Sequence, residues 1–520
     1  SLLAFCLLAL FSPATADAGG GTTHNVRIGG DIQTAIDGAN HGDTIQLAAG
    51  QYDITTTIDP GGKQVTILGT VDGNGDPTSI LDGGNPVGGT SGVRVLICQN
   101  GETSTTVFQN LVIQNGFDWA YGGGMLNDNS SSPTLTNCTF TGNSAELGGG
   151  MFNDSSSLSL TNCRFTGNSA DDDGGGMYNT GSSSPTLANC AFTENSASVL
   201  GGGMYNAEST LILADCTFAG NSAISEGGGI LNYNSSLTLT DCTFTSNSTN
   251  VGGGMAGSGS WTLKGCAFTG NSATRRGGGM SVDGDAVLTD CTFTSNTATG
   301  ENGDGGGLFL RNYCPAMTSC TFTNNSAVDE GGGIFIDTSC ATLIGCTLKN
   351  NSARLGGGMF SRYELDMAFA GCDFEGDSAT DDGDGMNTQG LDCSPTLTNC
   401  TFTSNSAVDD GGGMYNSLSS SPTLIDCNFC GNTSGTGNRN IDGDPIDVSS
   451  SGNLLLLNCN TGDVNFDLAI DSGDLGYLLA LWGASSVLNA DINLDGEVNG
   501  ADLAYILSYF GGTTDATTAE

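Results

Sequence analysis

The stretch GGGMLNDNSSSPTLTNCTFTGNSA, residues 122–145, recurs with small changes through most of the chain. Each copy carries one cysteine, and consecutive cysteines are 24 to 29 residues apart. The segment VFQNLVIQN, residues 107–115, fits the same frame with Leu111 in place of the cysteine. A period of this length is typical of a solenoid. The twelve aligned cysteines are Cys138, Cys163, Cys190, Cys216, Cys242, Cys266, Cys291, Cys320, Cys346, Cys372, Cys400 and Cys427.

The side-chain pattern inside one copy predicts short strands separated by sharp corners. In TLTNCTF, residues 134–140, Cys138 and Phe140 alternate with threonines, as in a strand with one buried face. Leu135 is out of phase with them, so a bend is expected between Leu135 and Cys138. The residue before the cysteine is Asn, Asp or Gly in every copy except at Ser319. These residue types tolerate left-handed backbone angles, which a corner requires.

Stacked coils would place like residues in columns of thiols, phenyl rings and side-chain amides. A second strand is expected after each triple glycine, beginning at Met125, Met151, Met177 and Met204. The segment DIQTAIDGAN, residues 31–40, is expected to form a helix that caps the first coil. The sequence therefore predicts an all-β, right-handed parallel β-helix of about fifteen coils, roughly 70 Å long. The clearest amide column is expected at Asn143, Asn168, Asn195, Asn221, Asn247, Asn271 and Asn296.

Composition and charge exclude some functions and favour export. Twelve basic and 55 acidic residues give a formal net charge of −43, which argues against a nucleic-acid partner. Residues 1–18 resemble the end of a secretory signal peptide, with a membrane anchor as the competing interpretation. No other segment is long and apolar enough to be a transmembrane helix. The expected location is therefore extracellular or at the cell surface.

The cysteines allow two interpretations in an exported protein. Removal of the signal segment leaves 18 of the 19 cysteines, an even number that fits a disulfide framework. The aligned cysteines, however, occupy an apolar position that Leu111 fills elsewhere, which favours small buried hydrophobic side chains. Cys314 and Cys340 each lie six residues before an aligned cysteine in neighbouring coils. We therefore expect a disulfide between Cys314 and Cys340.

The C-terminal region carries two copies of a calcium-loop pattern. Oxygen donors occupy the first, third, fifth, ninth and twelfth places of two twelve-residue loops, and the seventh place supplies a backbone carbonyl. An apolar helix pattern follows each loop. The expected calcium ligands are Asp463, Asn465, Asp467, Ala469, Asp471 and Asp474, then Asp491, Asn493, Asp495, Glu497, Asn499 and Asp502.

Two resemblances follow from these motifs. DVNFDLAIDSGDLGYLLALWG and DINLDGEVNGADLAYILSYFG, within residues 462–511, resemble the halves of a type I dockerin, which implies a small α-helical domain that binds calcium and a cohesin-like module. Ser472-Gly473 and Gly500-Ala501 replace the usual recognition pairs, so a cell-surface component is an alternative partner. The GGGM and FTGN repeats are similar to chlamydial polymorphic outer-membrane proteins, which are adhesins. IQTAIDGANHGDTIQLAAGQY, residues 32–52, is similar to pectate-lyase-like β-helix proteins.

We expect six segments. They are the signal peptide, clipped at its start (1–18), the cap and first coils (19–106), the repeated coils (107–433), a linker or last-coil cap (434–461), the dockerin-like domain (462–512) and a tail (513–520).

Three functions are consistent with these patterns. The leading interpretation is a non-catalytic rod that binds a polysaccharide or a host or neighbour surface and is attached through its calcium-dependent tail. A polysaccharide lyase or glycoside hydrolase is the alternative, and a passive stalk is the third. Lyase chemistry needs a free base and hydrolysis needs paired carboxylates. The acidic groups before the triple glycines are expected to form a solvated corner, and the basic residues are expected to lack a partnering set of carboxylates. Those basic residues are Arg164, Lys264, Arg275, Arg276, Arg311, Lys349, Arg354 and Arg362.

Overall fold

The structure is a computed structural model, and the chain folds into stacked coils of parallel strands. The expected signal peptide, dockerin-like domain and tail lie outside the residues that the structure describes. The described residues are 21–85, 91–337, 340–363, 367–390, 394–417, 420, 422–435, 440–443 and 454–456.

A short helix covers the first coil, as predicted. It spans Ile32–Gly38, and its N-cap residue Asp31 accepts a hydrogen bond from the backbone N–H of Thr34 at 3.2 Å. Ile32 and Ile36 are buried against the first strands. The helix thus covers apolar groups that a neighbouring coil would otherwise bury.

Three parallel sheets form the sides of the coils. Sheet 1 has 28 strands: Thr23–Val26, Thr44–Leu47, Thr66–Leu68, Leu96–Cys98, Val107–Gln109, Met125–Asn127, Thr134–Thr136, Met151–Asp154, Ser159–Thr161, Met177–Thr180, Thr186–Ala188, Met204–Ala207, Thr210–Ala214, Ile230–Thr240, Met255–Lys264, Met280–Val282, Asp285–Thr289, Leu308–Arg311, Ala316–Thr318, Ile334–Asp337, Thr342–Ile344, Met359–Arg362, Ala368–Ala370, Met386–Gln389, Thr396–Thr398, Met414–Ser417, Thr423–Ile425 and Ile441–Gly443.

The other two sheets are smaller. Sheet 2 has 16 strands: Gly50–Asp53, Ser79–Asp82, Leu111–Gln114, Thr139–Thr141, Arg164–Thr166, Ala191–Thr193, Thr217–Ala219, Thr243–Thr245, Ala267–Thr269, Thr292–Thr294, Thr321–Thr323, Thr347–Lys349, Asp373–Glu375, Thr401–Thr403, Asn428–Cys430 and Leu454–Leu456. Sheet 3 has 11 strands: Ser144–Leu147, Ser169–Asp173, Ser196–Ala197, Ser222–Ala223, Ser248–Val251, Ser272–Arg276, Thr297–Ala298, Ser326–Ala327, Ser352–Ala353, Ser378–Ala379 and Ser406–Ala407.

Like residues stack on like residues, which confirms the predicted columns. Phe140 pairs in register with Phe165, and Phe165 pairs with Phe192. The rings of Phe140 and Phe165 are 4.7 Å apart and tilted by only 3°. Leu348 interrupts the column between Phe322 and Phe374 without changing the register. The core is therefore one continuous column of apolar side chains along the described coils.

The predicted corners are confirmed at every aligned cysteine. All twelve preceding residues have φ angles between 50° and 63°. Ser319 shares this left-handed conformation with φ 52°, although serine has no special tolerance for it. The coils above and below Ser319 therefore determine its backbone conformation.

The asparagine column is buried and satisfied by hydrogen bonds. Asn221, for example, is fully buried and donates from Nδ2 to Asn247 Oδ1 at 3.0 Å and to the Phe192 carbonyl at 2.9 Å. Its own Oδ1 accepts from the backbone N–H of Asn195 and from Asn195 Nδ2, both at 3.0 Å. The column continues past the predicted members through Asn325 and Asn351 to Asp377. Because the same hydrogen bonds recur from one described coil to the next, the asparagine column has a structural role.

The aligned cysteines are buried free thiols. They donate to backbone carbonyls, as Cys216 Sγ does to Ala214 O at 3.3 Å. Hydrogen bonds between neighbouring thiols, together with burial, raise the pKa of most of them. The structure pairs Cys314 with Cys340 in a disulfide, with Cα atoms 4.5 Å apart. The described thiols thus behave as packed side chains, whereas the surface pair forms a cross-link.

Candidate functional site

Among the described residues, a dense set of charged side chains lies outside the core, where the chain turns at the triple glycines. In the strand Leu308–Arg311, Leu308 and Leu310 face the core, so Phe309 and Arg311 lie on the opposite face. Close stacking here depends on glycine, because a Cβ at Gly307 would lie 2.6 Å from the Gly333 carbonyl. We name this surface the charged corner; its members are Arg276, Asp304, Phe309, Arg311, Asp329, Glu330, Phe335, Asp337, Arg354, Phe360, Arg362 and Asp381.

Stacked phenylalanines form the floor of the charged corner. The rings of Phe309 and Phe335 are 4.9 Å apart, and those of Phe335 and Phe360 are 5.5 Å apart. The guanidinium of Arg276 lies 4.9 Å from the centre of the Phe309 ring, and that of Arg362 lies 4.9 Å from the Phe335 ring. The aliphatic stems of these arginines and the phenylalanine rings therefore shield each other from water, and this packing holds the guanidinium groups in place.

Positive and negative side chains alternate from coil to coil in the charged corner. Arg311 pairs with Asp337 at 3.4 Å, and Asp337 also pairs with Arg362 at 3.3 Å. Arg362 reaches Glu330 at 3.3 Å. The described arginines of these strands thus bridge three successive coils.

Arg354 connects a second group of carboxylates. It contacts Asp329 at 2.7 Å, Asp381 at 2.9 Å and Glu330 at 3.7 Å. Its side chain is 41% exposed, so these pairs are partly screened by water. Their contribution is therefore to position the carboxylates more than to stabilise the fold.

Two carboxyl groups of the charged corner hold protons more readily than usual. Burial, followed by the nearby Glu330 and Asp329 carboxylates, raises the pKa of Asp304 to about 7. Burial also raises the pKa of Glu330, although Arg362 opposes the shift. A carboxyl group that titrates near neutrality can act as an acid or a base, so Asp304 is a candidate for proton transfer.

The structure corrects two expectations about charges. Arg354 has a partnering set of carboxylates, contrary to the prediction, and Lys349 pairs with Glu375 at 2.9 Å in sheet 2. The acidic corner is not uniformly solvated, because Asp384 is fully buried in place of the second glycine of its coil. Burial, together with Asp172, raises the pKa of Asp173 to about 6.

Other predicted charges lie away from the charged corner or outside the described residues. Arg164 pairs with Asp76 at 3.1 Å in the N-terminal coils. The twelve predicted calcium ligands between Asp463 and Asp502 lie outside the described residues. Within the described ranges, no three His, Cys, Asp or Glu side chains converge as a metal site. None of the helices in those ranges could cross a lipid bilayer.

Comparisons with known families match both parts of the chain. The model of the right handed beta helix region matches residues 88–268, 198–351 and 254–429, which together span about two thirds of the chain. The type I dockerin model matches residues 461–511. No curated protein matches the chain in sequence.

Solved structures with similar coils are distant. The A-module of the Azotobacter vinelandii mannuronan C-5 epimerase AlgE6 is 13% identical, with 82% of this chain and 94% of that chain covered and a TM-score of 0.34. A mannuronic acid specific polysaccharide family 6 lyase from human gut microbiota is 11% identical, with 82% and 91% covered and a TM-score of 0.35. The tailspike protein 3 of bacteriophage CBA120 is 12% identical, with 82% and 58% covered and a TM-score of 0.33. Similarity at this level identifies neither an activity nor a ligand.

Proposed function

The chain belongs to the right handed beta helix family and carries a type I dockerin domain in its C-terminal region, and we propose that it is an extracellular binding rod. The coils bind a glycan or a partner surface without catalysing a reaction. The dockerin domain attaches the rod to a larger assembly or to the cell surface. The proposed segments are those expected from the sequence, with a signal peptide at 1–18 and the attachment domain at 462–512.

Attachment through calcium is supported by the donor set of the two loops. Asp463, Asp467, Asp491 and Asp495 supply carboxylates at alternate places, and oxygen-only ligands favour calcium over zinc. Type I dockerin domains bind calcium and cohesin modules. Bound calcium would neutralise the loop carboxylates and allow the two apolar helix patterns to pack. Because this chain lacks the usual recognition pairs, its partner is proposed to be a cohesin-like module or another cell-surface component.

The pairing of charges in the charged corner is the observation that favours binding over catalysis. Arg311, Arg354 and Arg362 each hold a carboxylate at 2.7 to 3.4 Å. A lyase needs a free base beside the sugar, and these arginines are already engaged. A fixed, alternating set of donors and acceptors is instead suited to hydrogen bonding with a polar ligand.

A hydrolase is the second candidate, supported by Asp304. This residue is only 7% exposed and its pKa is raised to about 7, mainly by burial, beside the Glu330 carboxyl. Glycoside hydrolysis uses one protonated and one ionised carboxyl, and Asp304 is suited to be the protonated group.

One experiment separates these functions. The purified chain is incubated with polyuronides and neutral glycans in calcium, and both binding and product release are measured. Binding without products, weakened by Arg362→Met, would support the rod. Products that disappear in Asp304→Asn and Glu330→Gln would establish the hydrolase instead. Neither binding nor products would favour a passive stalk.

Attachment is tested separately by calcium titration. The double variant Asp463→Ala with Asp491→Ala should lose calcium affinity and the gain in helical circular dichroism on calcium addition. Asp515→Ala, in the tail beyond the loops, is the matched control. Unchanged calcium affinity in the double variant would contradict the assignment of the loops.

A further inference from the structure

A single tryptophan stands out from the surface of the N-terminal coils. Trp119 is 71% exposed, whereas Trp261, the other tryptophan that the structure describes, is only 2% exposed. The indole of Trp119 meets the buried Phe117 ring edge-on, with ring centres 4.9 Å apart and an angle of 81°. Most of the indole surface is thus presented to solvent from a packed support, where the ring is available to stack on a ligand.

The loop that carries Trp119 is held by its own hydrogen bonds. Asp118 Oδ1 accepts from the backbone N–H groups of Ala120 at 2.9 Å and Tyr121 at 3.0 Å. Asp118 Oδ2 pairs with Arg94 at 2.8 Å, and Arg94 also donates to the Tyr121 carbonyl at 2.8 Å. The exposed indole therefore sits on a preorganised loop, so binding a ligand would require little ordering of the protein.

A shallow, open cavity of about 260 Å³ adjoins the indole. Thr57, Val93, Arg94 and Asp118 are among its lining residues. The Thr57 hydroxyl donates to the Arg94 carbonyl at 2.9 Å and retains an oxygen lone pair that can accept a hydrogen bond. The volume is below that of a pocket for a drug-sized molecule, so it suits one ring of a longer chain that continues into solvent.

The charges around the cavity determine which sugars are compatible. The Arg94 guanidinium is already engaged by Asp118 and by the carbonyls of Tyr121 and Gly122. A uronate carboxylate would meet Asp118 without an uncommitted cation to balance it, on a chain whose formal net charge is −43. Uncharged hydroxyl groups carry no such penalty and can donate to the Asp118 carboxylate and to the Thr57 hydroxyl oxygen.

We propose that Trp119 and the adjoining cavity bind one neutral pyranose ring of a glycan, with the sugar stacked on the indole and its hydroxyl groups bonded to Asp118 and Thr57. This site deepens the proposed binding function, on which it rests, by naming a neutral glycan as the ligand. It lies in coils that precede the charged corner.

The test is a calorimetric titration of the full chain with neutral hexasaccharides. The panel comprises β-1,4-glucan, β-1,4-xylan, β-1,4-mannan and β-1,3-glucan hexamers, with a galacturonate hexamer for comparison. At least one neutral hexamer should bind, and Trp119→Ala should weaken it by at least about tenfold, because the stacked surface of the indole is lost. Trp119→Phe should retain part of the affinity. Ile224→Ala is the matched control, since Ile224 is 70% exposed and lies in a later coil.

The contrary outcomes are distinct. If no neutral hexamer binds, or if Trp119→Ala binds as well as the unaltered chain, the site is refuted. Tighter binding of the galacturonate hexamer that depends on Trp119 would refute the assignment to neutral sugars. Glycan binding that is lost in Arg362→Met but kept in Trp119→Ala would refute this site and leave the binding rod intact. Unchanged circular dichroism of Trp119→Ala verifies that the exposed substitution has not unfolded the coils.

Discussion

Replacing Asp377 with asparagine should stabilise its coil, and the gain should grow as pH rises. Asp377 occupies the place of an asparagine in the buried amide column and is fully buried. Its Oδ1 accepts from the backbone N–H of Asn351 at 2.7 Å and from Asn351 Nδ2 at 2.9 Å, whereas its Oδ2 has no partner. Burial raises the pKa of Asp377 well above its ordinary value.

The sign of the pH effect follows from proton binding. Below pH 3.8, the ordinary value for this carboxyl, both the folded and the unfolded chains hold the proton, so there is no pH effect. Between that value and the raised pKa of the folded state, only the folded chain keeps the proton. The free energy of unfolding therefore falls by about 1.4 kcal/mol for each pH unit in this window. Asparagine does not titrate, so Asp377→Asn should remove this slope.

A second contribution does not depend on pH. Asn351 Nδ2 donates to the Phe322 carbonyl at 3.0 Å, and Asn405 Nδ2 donates to the Phe374 carbonyl at 3.1 Å. By register, an asparagine at position 377 would donate to the Leu348 carbonyl. Satisfying a buried polar atom contributes about 1 to 3 kcal/mol.

Native-state hydrogen exchange of the amides in residues 373–379 and 401–407, corrected for intrinsic exchange, measures the local opening free energy. Asp373→Asn, an exposed substitution in the same coil, is the matched control. Burial raises the pKa of Asp384, and the Asp377 charge raises it further, so the same comparison is repeated in an Asp384→Asn background. A difference between Asp377→Asn and the unaltered chain that is the same at acidic and neutral pH would refute this account.

Three further predictions follow from the columns and the disulfide. Phe218→Ala should lower the local opening free energy, measured by hydrogen exchange, by about 3 to 5 kcal/mol, because Phe218 is fully buried between two phenylalanine rings whose centres are 4.8 and 5.0 Å away. An effect under about 1 kcal/mol would contradict the continuous core. Asn221→Ala should lower the local opening free energy by about 3 kcal/mol, because the backbone N–H and Nδ2 of Asn195 both lose their acceptor. The control Glu194→Ala, a surface substitution in the preceding coil, should have little effect. Under denaturing, non-reducing conditions Cys314 and Cys340 should resist alkylation while Cys216 is labelled, as mass spectrometry of peptides would show; labelling of Cys314 would contradict the cross-link.

The columns and corners could be predicted because each depends on a local repeat. The aligned cysteine and the residue before it occur at a recognisable place in every copy. The alternation of apolar and polar residues was therefore sufficient to predict the strands, and the tolerance of Asn, Asp and Gly for left-handed angles was sufficient to predict the corners. Ser319 shows the limit of residue preference, since neighbouring coils impose the corner there. The disulfide partners share an equivalent place in adjacent coils, which made the expected pairing simple.

The sequence predicted an acidic corner, but the ion pairs of the charged corner could not be predicted because they depend on contacts between outward residues of unequal coils. Arg354 meets Asp329 and Asp381, which are 25 residues before it and 27 after it. A partial signal was present, since Arg276, Asp304 and Glu330 each precede a triple glycine. Trp119 lies between the segment 107–115, where Leu111 replaces the cysteine, and the first complete copy at 122–145, so no equivalent residue in other copies indicates that it faces solvent.

The matching of identical residues between coils has a consequence for how the chain finds its correct alignment. A coil that docked one repeat too far along would still place phenylalanine on phenylalanine and asparagine on asparagine, so the common contacts cannot distinguish neighbours. Irregular coils can distinguish the correct neighbour from a shifted one. The 29-residue step from Cys291 to Cys320, the 24-residue step from Cys242 to Cys266 and the leucine at position 348 would each be mismatched after such a slip. These irregular positions therefore specify the correct register of the coils. Making the repeats more uniform should increase misfolding, even where each substitution stabilises its own coil.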